Sequence, residues 1–355
     1  MKAVVIERPH EVAFVEIETP SPGPGDVLVR SHLAGVCRTD LEILQGGLTD
    51  PRWVTFPLVP GHEWSGTVVE VGAGVTEVEP GARVVCEGMV PCNRCRRCKA
   101  GHTNFCEHYD QIGFSRAGGY GEYVVVPRHV VHRLPDSVSF ESAVLVEPAS
   151  CVLRGLERGR PRPGETVGVI GIGTLGALAV TLARLYAPGA LVAYGVRAEE
   201  LRFAERLGAD VTVHVRETDA AAETKRVAGD GLDLVLETAG APDAVELATR
   251  LVRPGGRVVL LGIAGEGRML ELPADRITFG DMDVIGSFSY TTATWSRVVD
   301  LLRRSVVDFD PLVTHRFPAA RFDDAFGLMD AREGVVAKVL LEHVQSESAA
   351  RSSSE

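Results

Sequence analysis

At 355 residues and roughly 150 residues per domain, the chain should hold two domains with separate cores, which excludes a peptide hormone or a lone finger module. Hydrophobic residues make up 45% and charged residues 24%, with 38 Gly and 20 Pro, an ordinary globular composition that excludes bulk disorder. The 37 Lys and Arg against 48 Asp and Glu leave a net charge of −11, so nucleic acid is not an expected partner.

No apolar run approaches the ~20 residues of a membrane span. The start Met1-Lys2-Ala3-Val4-Val5 leads into acidic residues without a signal-peptide core, so the expectation is a soluble, cytoplasmic protein with no membrane partner. To about residue 150, short Val- and Ile-rich runs (27–30, 66–71, 83–86, 123–126) are broken by Pro and Gly clusters. They predict a β-rich, barrel-like domain with few helices. From Thr166 the rhythm changes to strands at 166–171, 191–194, 211–215, 232–237, 257–262 and 283–287, with helical patterns after Gly173 and near 198–208, 242–252 and 293–304. That alternation predicts an α/β, doubly wound parallel sheet. The stretch 313–318 and the strand-like 337–342 resemble the first half again. The division expected is therefore 1–152 with 290–344, then 153–289, with the polar, Ser-rich 345–355 as a disordered tail.

Gly171-Ile172-Gly173-Thr174-Leu175-Gly176 follows the first strand of the second domain and opens an amphipathic helix. Gly171 permits a tight turn, Gly173 lets the backbone approach a pyrophosphate, and Gly176 allows close helix–strand packing. The free N–H groups of the helix start, from Thr174 and Leu175 onward, attract phosphates. At the end of the second strand, where NAD binders carry an acid, stands Gly195, followed by Val196 and Arg197. Without the carboxylate a 2′-phosphate is not repelled, and Arg197 can pair with it, so NADP(H) is favoured over NAD(H). The alternative makes Arg197 a solvated residue before a helix.

Cys92, Cys95, Cys98 and Cys106 supply four thiolates on an Arg-rich loop, the donor set of a closed, structural Zn²⁺ site. An iron–sulfur run ends in a shorter gap followed by Pro, whereas this gap is seven and Glu107 follows. Cys37, His62 in Gly61-His62-Glu63, and Glu147 before Pro148 say little singly, since a lone Cys, His or Glu is usually core, a satisfied hydrogen-bonding residue or a helix start.

Taken together with Gly118-Gly119-Tyr120-Gly121-Glu122-Tyr123, these motifs run in the order of a known family. From residue 1 to about 343 the chain resembles the zinc-dependent medium-chain alcohol and polyol dehydrogenases, and Glu147-Pro148 is similar to their sorbitol, butanediol and threonine dehydrogenase branch. The resemblance implies a GroES-like catalytic domain beside a Rossmann cofactor domain. It also implies two Zn²⁺ per chain, a catalytic one on Cys37, His62 and Glu147 and a structural one on the four-cysteine lobe. By the same resemblance Glu63 is a carboxylate near the metal, Asp40 orients His62, Thr39 takes the alcohol proton, and Arg38 contacts the pyrophosphate or else forms a surface ion pair. Where many relatives have His, three residues beyond Thr39, this chain has Glu42, which becomes the candidate outer end of the proton relay.

The activity implied is hydride transfer between NADP(H) and a secondary alcohol or ketone of a polar substrate such as a polyol, sugar alcohol or aminocyclitol. The alternatives are an NAD-dependent threonine 3-dehydrogenase or butanediol dehydrogenase, or a cofactor-binding protein without catalysis. The substrate cleft is expected between the domains, along 44–58, 112–120 and 286–296, with Trp53, Phe56, Phe114, Phe288 and Trp295 as walls or core. Pairing of cofactor domains through edge strands implies a homodimer or homotetramer.

Overall fold

The computed structural model describes residues 1–265, 267–331 and 333–343, so the expected tail at 345–355 lies outside the described residues. The first module opens with an antiparallel pair, β1 (Lys2–Arg8) and β2 (Glu11–Glu16). It continues with β3 (Asp26–Val36), α1 (Arg38–Leu44), β4 (Glu63–Val71), β5 (Arg83–Cys86), α2 (Arg96–Lys99), β6 (Tyr123–Pro127), β7 (Val131–Arg133) and α3 (Phe140–Val144). The long strand β3 pairs with β4 on one side, and with β6 at its first half. Alternate residues of these strands, Val27, Val29, Val68, Val84 and Val124, point into one core around Trp64, as period-two patterning requires.

The helix α4 (Val146–Gly159) leads into β8 (Thr166–Ile170), α5 (Thr174–Ala183), β9 (Ala190–Gly195), α6 (Ala198–Arg206), β10 (Val211–His214) and α7 (Ala220–Ala228). Then come β11 (Leu232–Glu237), α8 (Pro242–Leu251), β12 (Val252–Leu260), α9 (Ala274–Phe279), β13 (Asp283–Gly286) and α10 (Thr292–Arg303). The six strands form one parallel sheet in the order β10-β9-β8-β11-β12-β13, the doubly wound arrangement read from the alternation. Leu153, Leu156, Leu178, Leu182, Trp295 and Val298 of α4, α5 and α10 cover one face of it. Ala248 and Leu251 of α8 and Ala220 of α7 cover the other. Burial on both faces explains the near-continuous apolar strands.

The chain then returns through β14 (Val313–Pro318), α11 (Phe322–Ala331) and β15 (Lys338–Glu342), and β15 pairs antiparallel with β3. The first-half stretch richest in functional residues is more helical than its composition suggests, because α1 and α4 each open beside a residue of the candidate site. Strand β12 begins five residues before the expected 257, running through Pro254 and Gly255 with a shifted register. Among the described residues no helix is long and apolar enough to cross a membrane.

Candidate functional site

Cys37 ends the extended run of β3 and caps α1. Its backbone N–H donates to Asp40 Oδ2 at 2.9 Å, and the Tyr120 hydroxyl donates to the same oxygen at 2.8 Å. Asp40 is fully buried, and its other oxygen, Oδ1, faces His62 Nδ1 at 3.6 Å. Neither of these two atoms has a hydrogen-bond partner. Gly61 holds φ at +97°, and a Cβ there would stand 2.4 Å from the Tyr120 ring, so only glycine lets the chain turn and aim His62 inward. Phe114 packs edge-on against the imidazole, with ring centroids 5.1 Å apart.

The Cys37 Sγ, an imidazole nitrogen of His62 and a Glu63 carboxylate oxygen all lie within 4.8 Å of one another. Glu147 stands outside that set. The trio expected from the sequence was Cys37, His62 and Glu147, whereas the tightest convergence substitutes Glu63, because Lys338 reaches across from β15 and its Nζ donates to Glu63 Oε2 and, at 3.3 Å, to the Val36 carbonyl. Gly35 makes room for this arrangement, since a Cβ there would lie 2.3 Å from Glu63 Oε2. Glu147, at the first turn of α4, is buried and makes no hydrogen bond among the described residues. Burial pushes its carboxyl up to about 7, with His62 pulling down and Glu63 pushing further up. For His62, burial opposes the charged form, but Asp40 and then Cys37 outweigh it and hold the imidazole well above its ordinary value. Four acidic or thiol groups gathered around one imidazole call for positive charge.

These residues fit a divalent cation. A tetrahedral Zn²⁺ with bonds of about 2.0–2.3 Å needs thiolate, imidazole and carboxylate donors roughly 3.5 Å apart. A buried carboxylate beside the distal imidazole nitrogen fixes the ring as metal-bound histidines require. The four thiols of Cys92, Cys95, Cys98 and Cys106 also lie within 4.8 Å of one another and are not oxidised to disulfides. Backbone N–H groups of Cys95, Cys98 and Cys92 donate to Cys92, Cys95 and Cys106 Sγ at 3.3–3.4 Å, and donation from the Cys98 N–H is the largest cause bringing the Cys95 thiol down to about 6. Thiols already accepting N–H bonds are poised as thiolate ligands, so this lobe fits the second ion.

Thr39 sits with its Oγ1 3.7 Å from Cys37 Sγ. Glu42, one turn further along α1, is half-buried, and burial raises its carboxyl, with Arg38 pulling it down. Arg38 itself pairs with Asp330 of α11 at 3.1 Å, so the ion-pair alternative is the one formed. At the dinucleotide turn Gly171 holds φ at +88° with Ala239 against it, and a Cβ on Gly176 would lie 1.8 Å from the Gly171 carbonyl. Gly173 faces open space and caps α5 without a side-chain bond, leaving that helix start accessible to an anion. Thr174 is otherwise engaged, its hydroxyl donating to the Ala337 carbonyl, and Leu175 packs against the core. Gly195 ends β9, and Arg197 caps α6 and pairs with Glu200.

Of the candidate walls, Trp295 is wholly buried in the core, Trp53 stacks edge-on against Tyr109, Phe56 packs beside Ile43 and Val54, and Phe288 is exposed beside Phe105. The residues not anticipated are Lys338, Tyr120 as the partner of Asp40, and Cys151. The last carried a signal, standing four residues after Glu147 on one helix face. Its thiol is raised well above the ordinary value by burial and then by Glu147.

Residues 23–136 match the family of the alcohol dehydrogenase GroES-like domain, and 174–304 that of zinc-binding dehydrogenases. The sorbitol dehydrogenase of Gallus gallus is 34% identical over 346 residues, 96% of this chain and 95% of that one. A zinc-binding dehydrogenase from Sinorhizobium meliloti 1021 bound to NADP superposes with a TM-score of 0.88 at 32% identity, covering 96% of this chain and 99% of the other. An alcohol dehydrogenase from E. coli CFT073 complexed with NADH gives 0.89 at 29%, covering 97% and 99%. With both modules, the dinucleotide turn and both cation-fitting clusters in family order, the chain belongs to the zinc-dependent medium-chain alcohol dehydrogenases.

Proposed function

We propose that the protein oxidises a secondary alcohol of a polar, polyol-like substrate to the ketone, or runs the reverse, with NADP(H) as hydride carrier and two Zn²⁺ per chain. The observation that carries this reading is the convergence of Cys37, His62 and Glu63 within 4.8 Å, with Glu147 buried beside them. When bound, the metal supplies Lewis acidity toward the substrate oxygen and the dinucleotide supplies the hydride acceptor. Cys37 and His62 would hold the catalytic ion together with a carboxylate, Glu63 in the arrangement that Lys338 fixes or Glu147 buried next to it, and Asp40 would keep His62 in the ligating orientation. Thr39 takes the alcohol proton, and the partly desolvated Glu42, whose raised affinity for protons suits an acceptor, receives it on the way to water. Phe114, packed edge-on against His62, would screen the reacting carbon from water.

Support for NADP(H) comes from Gly195 in place of an acid and from Arg197 beside it. The likeness to sorbitol dehydrogenase supports a polyol. The chain pairs with a second copy through the edge strand β13, a reading supported by the exposed Ile263, Met269, Phe279 and Val284 around it, an apolar surface that a solitary chain seldom presents. The gathering of Cys92, Cys95, Cys98 and Cys106 as one ligand set supports a reducing compartment. The test is steady-state kinetics with NADP⁺ and NAD⁺ over a panel of polyols, aminocyclitols, butanediol and threonine, with and without a zinc chelator. Turnover with none of them by zinc-replete protein refutes the reading.

A further inference from the structure

On the rim of the parallel sheet opposite the dinucleotide turn, at the starts of β8, β12 and β13, a cavity of about 250 Å³ is lined by Arg160, Arg162, Arg253, Arg257, Glu165 and Asp283. Four guanidinium groups thus converge on one hollow of a protein whose net charge is −11. Two of them build its wall. Arg257 Nη2 donates to Glu165 Oε2 at 2.5 Å and its Nη1 to the Arg160 carbonyl at 3.1 Å. Arg253 Nε bonds Asp233 at 2.7 Å, and Asp233 also accepts the Thr166 N–H at 2.8 Å. The guanidinium groups of Arg160 and Arg162 are exposed and take no part in any hydrogen bond among the described residues. Among the described residues, Asp283 is the one carboxylate lining the cavity without an ion-pair partner.

We propose that this cavity is a binding site for a phosphate-bearing polyanion, with the unpaired Arg160 and Arg162 supplying the positive charge and the ion-paired Arg253 and Arg257 a fixed floor of N–H donors. Guanidinium forks match phosphate oxygens two at a time, and a pair held in place by wall carboxylates loses little freedom on binding. The volume is below the roughly 300–1,000 Å³ of pockets for drug-sized ligands, which suits a diphosphate or triphosphate group. The site is distinct from the dinucleotide turn, since the five residues of β8 separate the two ends of the sheet by about 17 Å. It touches the same helix as the metal site, because α4 carries Glu147 in its first turn and is closed by Arg160 in the left-handed conformation, φ 49°.

The test is calorimetric titration of inorganic tripolyphosphate into zinc-loaded protein saturated with NADP⁺ and NAD⁺, so that the dinucleotide site is filled. One tripolyphosphate per chain is expected, weakened at least tenfold in Arg162→Glu and in the Arg160→Asn/Arg162→Glu double variant, where Asn tolerates the left-handed position. Arg162→Gln, which keeps an exposed polar side chain, gives a smaller loss, and Arg128→Glu, on the other module, gives none. The absence of binding to the wild-type holoenzyme, or equal affinity in folded Arg162→Gln and Arg162→Glu, overturns the proposal.

Discussion

The guanidinium of Arg197 is held by the carboxylate of Glu200, one turn along the helix that Arg197 itself caps, and both side chains are largely covered, at 25% and 13% exposure. A 2′-phosphate therefore meets an arginine that already has a partner. Arg197→Ala should weaken NADP⁺ selectively by ~1.5–3 kcal/mol, the range for a hydrogen bond to a charged group. Glu200→Gln should act in the opposite direction, freeing the guanidinium and removing the charge that repels the phosphate. Dissociation constants for both dinucleotides decide this, and a parallel change for NAD⁺ and NADP⁺ would contradict the assignment.

The Lys338–Glu63 pair is almost entirely buried, at 1% and 2% exposure. Removing one partner strands a charge in a medium that solvates it poorly, so Lys338→Met should cost about 3–5 kcal/mol. The Lys338→Met/Glu63→Gln double variant should recover most of that. Denaturation midpoints of the two singles and the double form a cycle, and additive losses would mean that the two side chains act independently.

The cysteine lobe is fastened to the segment between β13 and α10. Asn104 donates to the Phe288 carbonyl at 3.0 Å, and the Thr292 N–H donates to the Thr103 hydroxyl at 2.9 Å. Cys98→Ser should lower zinc from two ions per chain to one by elemental analysis. It should also lower the melting temperature by roughly 5–10 °C, equivalent to ~2–3 kcal/mol for domains of this size. Retention of both ions would show that the four thiols do not act as one ligand set.

A half-buried and a buried histidine contribute to the loss of stability in acid. His32 is held below its ordinary value of 6.5, chiefly by burial and then by Arg30 and Arg83. His343 is held below it as well, burial outweighing the Gly119 carbonyl it bonds. With the folded values depressed, the unfolded chain binds protons first, so the stabilisation is complete above pH 6.5 and is lost as the pH falls through the folded values. His32→Gln should flatten the urea midpoint between pH 7 and 5 relative to the wild type, and an unchanged slope would assign the acid sensitivity elsewhere.

Strand β13 leaves Val284 exposed at 39%, with Phe279 at 85% nearby. Val284→Asp should shift sedimentation from a dimer or tetramer toward the monomer while leaving the far-ultraviolet spectrum intact. A wild type that sediments as a monomer at micromolar concentration would remove the edge-strand pairing.

The cofactor module was legible in sequence because its strands are buried on both faces and read as uninterrupted apolar runs. The expected 232–237 is β11 itself, and 166–171 and 283–287 each overrun β8 and β13 by one residue. The helices α7 and α9 escaped notice. The first is an Ala-rich segment with little apolar period, and the second is six residues long with no buried side chain. In the site, the four-cysteine lobe was legible from local spacing, whereas Cys37, His62 and Asp40 were singled out only by the family resemblance. The Glu63–Lys338 bond was not legible, since it joins residues 275 positions apart, and a lone lysine opening an apolar strand reads as an exposed end until pairing of β15 with β3 carries it inside. For the same reason, distance along the chain could not rank Glu63 against Glu147 at the metal site.

The hydroxyl of Thr174, in the first turn after the glycines of the dinucleotide motif, donates to the carbonyl of Ala337, and the very next residue is the lysine that restrains Glu63. One peptide unit thus stands between the cradle for the dinucleotide and the tether of a carboxylate at the metal centre. The two regions share one short stretch of backbone, so displacing the α5 N-terminus would be expected to move the Glu63 tether without a swing of either whole module.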